Sequence, residues 1–363
     1  MRFAFAPCVL SSLLAGLASC ATAGPTPGGG GGAGSAAGAD LRTEEHMLPA
    51  RDPGIQLYVR NKHPAAQERF GPERIVLFVH GSTYPAETSF DLPLGGTSWM
   101  EYMARRGFDV WLVDVRGYGR STRPPEMDAP PEGKPPLVRT ETAVKDVAAA
   151  VDFILARRGA PRLVVMGWSW GTTMMARYTN ENVDKVEKLV LYAPQWLRSS
   201  PPLISGEGAY RVVGVDSARE RWLKGVPEDK KATLIPQGWF EQWADATFAT
   251  DPWGSKQSPR KLRAPNGTIA DTKDFWSNGK PLYDPAKITV PTLIVHAEWD
   301  QDLPTPMARA VFEKLSAAPY KRFVEIGEGT HTIIMEKNRM QLFREVQAFL
   351  EEPREPSPLV SAR

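Results

Sequence analysis

The sequence predicts an α/β fold in which a mostly parallel central sheet is flanked by helices and carries an inserted cap. Short runs of β-branched and apolar residues alternate with segments of helical period, which is the order of strands and helices in a parallel sheet. Most of these runs are continuously apolar, as strands covered on both faces must be. One long stretch rich in Pro, Gly and Trp breaks the alternation and reads as an insertion.

The chain begins with an expected export signal, residues 1–20. Arg2 precedes an apolar stretch from Phe3 to Leu17 that is too short to span a bilayer comfortably. The signal ends in Leu17-Ala18-Ser19-Cys20, which resembles the bacterial lipobox, whose cysteine is lipidated and becomes the mature N-terminus. That resemblance implies a protein anchored to the bacterial cell envelope through Cys20, at the outer membrane because Ala21 and not Asp follows; a plainly cleaved signal would leave it periplasmic or secreted. Residues 21–40, with five consecutive glycines at Gly28 to Gly32, cannot bury enough apolar surface to order and are expected to be a tether. No strand precedes this run and no lysine follows it, so it is not a phosphate loop.

The body, residues 41–350, opens with two strands around Glu44 to Leu48 and Ile55 to Arg60, expected as an antiparallel edge. Arg74 to His80, Val110 to Val115, Leu163 to Met166, Leu189 to Tyr192 and Leu293 to His296 read as buried strands, and Phe323 to Ile326 as the last. Thr97 to Arg106, Thr140 to Arg158 and Pro304 to Ala317 have helical spacing, with Thr140 as a capping residue and Gly107 and Gly159 as stops. The cap is expected at about residues 197–287, containing Trp222, Trp239, Trp243, Trp253 and Trp276, and residues 351–363 as a flexible tail.

Charge and cysteine content narrow the function. With 44 Lys plus Arg against 42 Asp plus Glu the chain carries a net charge of +2, so nothing points to nucleic acid or to a basic membrane-docking face. Both cysteines, Cys8 and Cys20, precede the body, which excludes a disulfide or cysteine-based metal site there. No HExxH or clustered His and carboxylate spacing occurs, so neither metal nor cofactor is expected.

Gly167-Trp168-Ser169-Trp170-Gly171 matches the G-x-S-x-G nucleophile elbow and lies where that turn must lie, between an apolar strand and a helix. A sharp strand-to-helix turn strains the serine backbone and brings neighbours close, so small residues are needed two positions to either side. A serine hydroxyl needs a base, and the base needs an acceptor that fixes its tautomer. Of the five histidines, His331 in Gly329-Thr330-His331 follows the last strand, whereas His46 and His63 precede the sheet and His296 is inside a strand. His80 is expected to bond backbone and not to act as a base. Asp300 follows the Leu293 to His296 strand and is the expected acid. Asp302 is its rival, with capping of the next helix as its other role.

In order, HG at His80-Gly81, DVRGYGRS from Asp114, GWSWG, the acid loop and GTH resemble the α/β-hydrolase superfamily from about Arg74 to Leu350. The resemblance implies the chain order Ser, Asp, His for a triad of Ser169, Asp300 and His331. It further implies an oxyanion hole from the backbone amides of Ser82 and Trp170, with Thr83 as the second choice for the former. Asp114 would then be part of a structural turn. Serine at the elbow argues against the aspartate-dependent relatives, the haloalkane dehalogenases and epoxide hydrolases, and favours cleavage of a carboxylic ester.

Other readings remain open at this point. Ser169-Trp170-Gly171 resembles the elbow of proline iminopeptidases, although their HGGPG loop is replaced here by His80-Gly81-Ser82-Thr83-Tyr84-Pro85. Hydrolysis of a carbon–carbon bond would use the same three side chains, and a tethered binding protein could keep the fold without the chemistry. Trp168 and Trp170 beside the serine, with Trp239 and Trp243 from the cap and Thr83, suggest a pocket for a small ester with an apolar or aromatic group.

Overall fold

The computed structural model describes residues 40–354. The export signal with Cys8 and Cys20, the stretch up to residue 39 and the tail beyond Arg354 lie outside the described residues. Ten strands occur among the described residues: β1 (Leu41–Pro49), β2 (Gln56–Pro64), β3 (Ile75–Val79), β4 (Asp109–Val113), β5 (Leu163–Trp168), β6 (Val186–Tyr192), β7 (Tyr210–Gly214), β8 (Lys261–Pro265), β9 (Thr292–Ala297) and β10 (Lys321–Ile326). The α-helices are α1 (Ala86–Phe90), α2 (Trp99–Ala104), α3 (Thr140–Arg158), α4 (Trp170–Glu181), α5 (Val215–Trp222), α6 (Lys231–Leu234), α7 (Trp239–Ala249), α8 (Gly267–Asp274), α9 (Thr305–Lys314) and α10 (Arg339–Glu351). No helix among the described residues is long and apolar enough to cross a membrane.

Eight strands form one sheet in the order β1-β2-β4-β3-β5-β6-β9-β10. The β1–β2 and β2–β4 pairs are antiparallel and the rest parallel. This is the α/β-hydrolase fold. Every residue of β3, β4, β5, β6 and β9 is buried, as their continuous apolar runs require. The edge strand β1 is mostly exposed or half-buried and carries a run of polar residues from Arg42 to His46. Helix α3 packs on α4, and α2 on α10, where Trp99 stacks on Phe343 with ring centroids 4.7 Å apart.

Two helix starts differ from the sequence expectation. Helix α2 begins at Trp99, two residues later than expected, with Ser98 and Glu101 forming a reciprocal capping box that satisfies both of their amides. Thr140 does not cap α3; the cap position is Arg139, without a side-chain cap bond. The Thr140 amide instead donates to Asp271 Oδ2 of α8 at 2.8 Å, so a distant carboxylate takes the place of a local cap at the positive end of the helix. The Thr140 hydroxyl accepts from the Trp170 indole at 2.8 Å. At the far end Gly159, with φ 60°, terminates α3 as expected.

Between β6 and β9 the chain leaves the large sheet and builds α5, α6, α7 and α8 with a two-stranded antiparallel sheet of β7 and β8. Buried polar contacts fasten this insertion to the body. Arg211 of β7 donates to Ser82 O and Thr83 Oγ1, and the Trp222 indole of α5 donates to Glu336 Oε1 at 2.7 Å. Glu336 also accepts from the Thr330 amide (3.0 Å), the Thr332 hydroxyl (3.1 Å) and the Thr330 hydroxyl.

Burial of Glu336 outweighs these donors and pushes its pKa up to about 7 from an ordinary 4.5. A carboxyl held above its unfolded value keeps its proton in the native state while the unfolded chain has already lost it. Its stabilising contribution is therefore complete below about pH 4.5 and is lost as pH rises to about 7. Glu336→Gln should remove that pH dependence. Urea unfolding at pH 5 and pH 8 is expected to show the variant gaining about 3 kcal/mol relative to the parent between the two pH values, and an equal pH response in both proteins would refute the assignment.

Candidate active site

Ser169 alone turns β5 into α4, and it does so at φ 59° and ψ −122°, backbone that a residue with a Cβ adopts only when its surroundings force it. The forcing contacts are identifiable. The Ser169 amide donates to Tyr192 O of β6 and its carbonyl accepts from the Thr172 amide, both at 2.9 Å. A Cβ on Gly167 would lie 2.2 Å from Gly171 O, and one on Gly171 would lie 2.4 Å from Val79 O. These are the close approaches that the G-x-S-x-G spacing anticipates, and they seat the start of α4 against the end of β3.

His331 follows β10, and its Nδ1 lies 2.8 Å from Asp300 Oδ2. Asp300 follows β9, and its other oxygen accepts from the Leu303 amide at 2.9 Å, so both oxygens are engaged. Burial opposes the Asp300 charge, but the His331 imidazole beside it prevails and holds the pKa below the ordinary aspartate value. Burial likewise opposes a charged His331, but the Asp300 and Asp302 charges and the Asp300 hydrogen bond together raise its pKa above the ordinary histidine value. Asp302 does not cap α9, whose cap residue is Pro304. It pairs with Arg221 Nε of α5 at 3.0 and 3.1 Å. The His331 carbonyl is held by the Trp168 indole (3.0 Å) and the Tyr192 hydroxyl (2.8 Å).

The other histidines are accounted for. His80 is fully buried, its Nδ1 lies 2.6 Å from Gly81 O, and its Nε2 accepts from the Val115 amide at 3.1 Å. Burial pushes its pKa down to about 4, which keeps it neutral. His296 is buried with Nε2 2.7 Å from Leu303 O, and His46 and His63 sit on β1 and β2. Asp114 follows β4, and its carboxylate accepts from the amides of Ala86 (2.7 Å) and Arg120 (3.0 Å) and so closes the DVRGYGRS turn.

The loop after β3 is oriented by its carbonyls. A trans peptide points its N–H opposite to its C=O. The Gly81 carbonyl is held by His80, which fixes the Ser82 N–H. The Ser82 carbonyl accepts from Tyr118 Oη (2.8 Å) and Arg211 Nη2 (2.6 Å), which fixes the Thr83 N–H. Neither the Ser82 amide nor the Trp170 amide has an acceptor among the described residues. Gly81 lies close enough to Ser169 that a Cβ on it would stand 3.0 Å from the serine Cβ, so the loop and the serine are neighbours.

Ser169 and His331 line one cavity with an empty volume of about 410 Å³, walled by Tyr84, Trp168, Ala218 and Trp222. No hydrogen bond between the serine hydroxyl and His331 is closed among the described residues; such bonds commonly tighten only when substrate enters. Of the aromatic residues expected here, Trp168 lines the cavity. The Trp170 side chain does not, being fully buried and bonded to Thr140. Trp239 and Trp243 do not either. Trp239 lies against Gly95 with Arg339 4.7 Å above its ring, and Trp243 is fully buried, edge-on to Tyr84 and Trp222. The insertion tryptophan that reaches the serine is Trp222. Thr83 lines the cavity with its hydroxyl accepting from Arg211 Nη2 (2.8 Å) and Arg221 Nη1 (3.2 Å). The sequence pattern holds no pointer to Arg211 or Arg221, and it offers Trp222 only as one of five cap tryptophans; Arg221 and Trp222 line the cavity and Arg211 holds the Ser82 loop from irregularly spaced positions in the insertion. Glu336 had a signal, a carboxylate closing the apolar run Ile333 to Met335 just after the candidate base.

Comparison with known proteins places this site in a family. A family model for the alpha/beta hydrolase fold matches residues 74–338. The chain is 24% identical over 262 residues to a putative non-heme chloroperoxidase of Synechocystis sp., covering 68% of this chain and 81% of that protein. It is 30% identical over 136 residues to lipase member M of Mus musculus, covering 36% of this chain and 31% of that one. To a proline iminopeptidase of Arabidopsis thaliana it is 26% identical over 172 residues, covering 46% and 38%. Among solved structures it superposes on a hydrolase from Pseudomonas aeruginosa with a TM-score of 0.57 at 17% identity, covering 85% of this chain and 98% of that one. A serine hydrolase involved in carbazole degradation gives a TM-score of 0.56 at 15% identity, with 85% and 99% covered. These structural likenesses speak to the fold, and with the family model spanning most of the chain the conclusion is direct: this protein belongs to the α/β-hydrolase family.

Proposed function

We propose that the chain is a serine hydrolase that cleaves carboxylic esters through an acyl-enzyme. The observation that carries the reading is the arrangement around one cavity: Ser169 in its strained turn, His331 bonded to Asp300 at 2.8 Å, and two backbone amides, of Ser82 and Trp170, without acceptors among the described residues. Ser169 Oγ attacks the ester carbonyl as His331 Nε2 takes its proton. The carbonyl oxygen, now negative, is received by the Ser82 and Trp170 amides. The C–O bond to the alcohol breaks as His331 returns the proton to the leaving oxygen. A water deprotonated by His331 then attacks the acyl-enzyme, and collapse releases the acid and restores Ser169. Asp300 holds the tautomer that leaves Nε2 free and stabilises the imidazolium, while Asp302 is committed to Arg221.

Hydrolysis of p-nitrophenyl butyrate should be abolished in Ser169→Ala and reduced on the order of 10⁴-fold in kcat by Asp300→Asn, the scale that loss of the tautomer-fixing acid carries in triads. Asp302→Asn should retain far more activity than Asp300→Asn, and equal losses would contradict the assignment of the acid. Because the base works neutral and Asp300 raises its pKa, kcat/KM should fall with falling pH through a value above 6.5. In Asp300→Asn the residual activity should persist to lower pH, and an unshifted acid limb would count against His331 as the base.

The match to a proline iminopeptidase supports a second reading, cleavage of an N-terminal proline amide. Turnover of proline p-nitroanilide without ester turnover would favour it. We also propose export and lipid attachment at Cys20, on the lipobox alone. Unchanged membrane fractionation of Cys20→Ser in the producing cell would contradict it.

A further inference from the structure

Ser169 opens onto a second lobe, with an empty volume of about 300 Å³, that shares Ser82, Arg221 and Asp302 with the first but is otherwise of different character. Where the first is walled by Tyr84, Trp168, Ala218 and Trp222, the second is lined by Gln195, Arg198, Thr268 and Thr272 and closed by Pro202, Leu203 and Ile204.

Three polar groups here are left for a ligand. Gln195 follows β6 at the carboxyl end of the sheet and is 4% exposed. Its bonds among the described residues are made by its backbone, the amide to Thr172 Oγ1 at 2.9 Å and the carbonyl from Tyr283 Oη at 3.3 Å, so the carboxamide remains for the cavity. Thr268, 2% exposed, has a hydroxyl with no partner among the described residues. Arg198 donates to the carbonyls of Ser200, Pro201 and Asp302 but pairs with no carboxylate among the described residues. The carboxylate on the lobe, Asp302, is engaged by Arg221 through two bonds. Arg198 and Arg221 are set against Asp302 on the lobe and Asp300 beside it, which balances the four charges. Arg211, buried behind the Ser82 loop on carbonyl and hydroxyl partners, leaves one positive charge in excess nearby.

Buried hydrogen-bonding groups without partners are costly, and an uncompensated guanidinium beside them is satisfied best by an anion that accepts several bonds at once. We propose that this lobe is a carboxylate-binding subsite formed by Arg198, Gln195 and Thr268, so that the substrate is an ester carrying a free carboxylate. Its apolar part occupies the lobe walled by Trp168 and Trp222 and its charged end the lobe of Arg198. The inference rests on the esterase reading and names the substrate class for the same serine.

The test compares esters that differ in one charge. For a carboxylate on the acyl side, p-nitrophenyl hydrogen glutarate is set against p-nitrophenyl 4-carbamoylbutanoate. For one on the alcohol side, 4-carboxyphenyl pentanoate is set against 4-carbamoylphenyl pentanoate. One pair should show kcat/KM at least about tenfold higher for the charged member, and Arg198→Gln should lower that ratio by about tenfold or more. Thr268→Val, which keeps the shape, should lower it by a smaller factor and serves should Arg198→Gln fail to fold. Absence of a preference in both pairs, with the neutral esters turned over, would overturn the subsite and leave the esterase reading standing. Should no ester be turned over, the esterase reading fails. The subsite is then judged by calorimetric binding of glutarate against glutaramide, where glutarate binding weakened tenfold in Arg198→Gln would uphold it and no selective binding would overturn it.

Discussion

The structure around the serine depends on one steric constraint, the contact of the Gly171 backbone with the end of β3. With a Cβ at position 171 standing 2.4 Å from Val79 O and 2.8 Å from His80 O, α4 could not start where it does. Its present start puts the first amide of α4, that of Trp170, beside the loop that leaves β3. The positive end of a helix and that loop are thus brought together beside Ser169. The strained backbone at Ser169 is a consequence of the same contact: β5 must turn within one residue because the helix has no room to start further out.

The parallel sheet then does the gathering. Ser169, Gln195, Asp300, His331 and the Gly81–Thr83 loop follow β5, β6, β9, β10 and β3, so each stands at the carboxyl end of a parallel strand. Hydrogen bonding between the strands sets their lateral spacing, and the side chains inherit it. The loop after β3 needs more than its strand, because a free peptide plane can rotate. Here His80 and Arg211 pin successive carbonyls, one from the body and one from the insertion. The insertion therefore contributes to the geometry at the serine as well as to the wall above it.

This division explains what could be read in the sequence. Strands β3 to β6 and β9 were legible because burial on both faces leaves an apolar run, and Gly167, Ser169 and Gly171 because a steric clash permits no other spacing. His331 and Asp300 were legible from their places after strands. The two acids of the loop were separable by position but not by partner, since Arg221 lies about eighty residues earlier in the chain. The same remoteness hid Asp271 at the start of α3 and misplaced the cap tryptophans. Trp239, Trp243 and Trp222 look alike in a Pro- and Gly-rich stretch without periodicity, and only packing reveals that Trp243 fills the insertion's own core while Trp222 faces the serine.

Arg221 shows how such remote residues bear on the proposed chemistry. His331 feels Asp300 and Asp302, both of which favour its protonated form, and Arg221, which disfavours it. By pairing with Asp302 the guanidinium offsets part of the second acid's effect on His331, the proposed base, and Asp300, which is bonded to it, acts most strongly. A base whose pKa were raised by two unpaired acids would be protonated over more of the neutral range and would less often be free to accept the serine proton. Arg221 also touches Thr83 and lines both lobes. One insertion side chain thus connects the charge state of His331, the loop beside the serine and the shape of the cavity, and the insertion cannot be exchanged for another without changing all three.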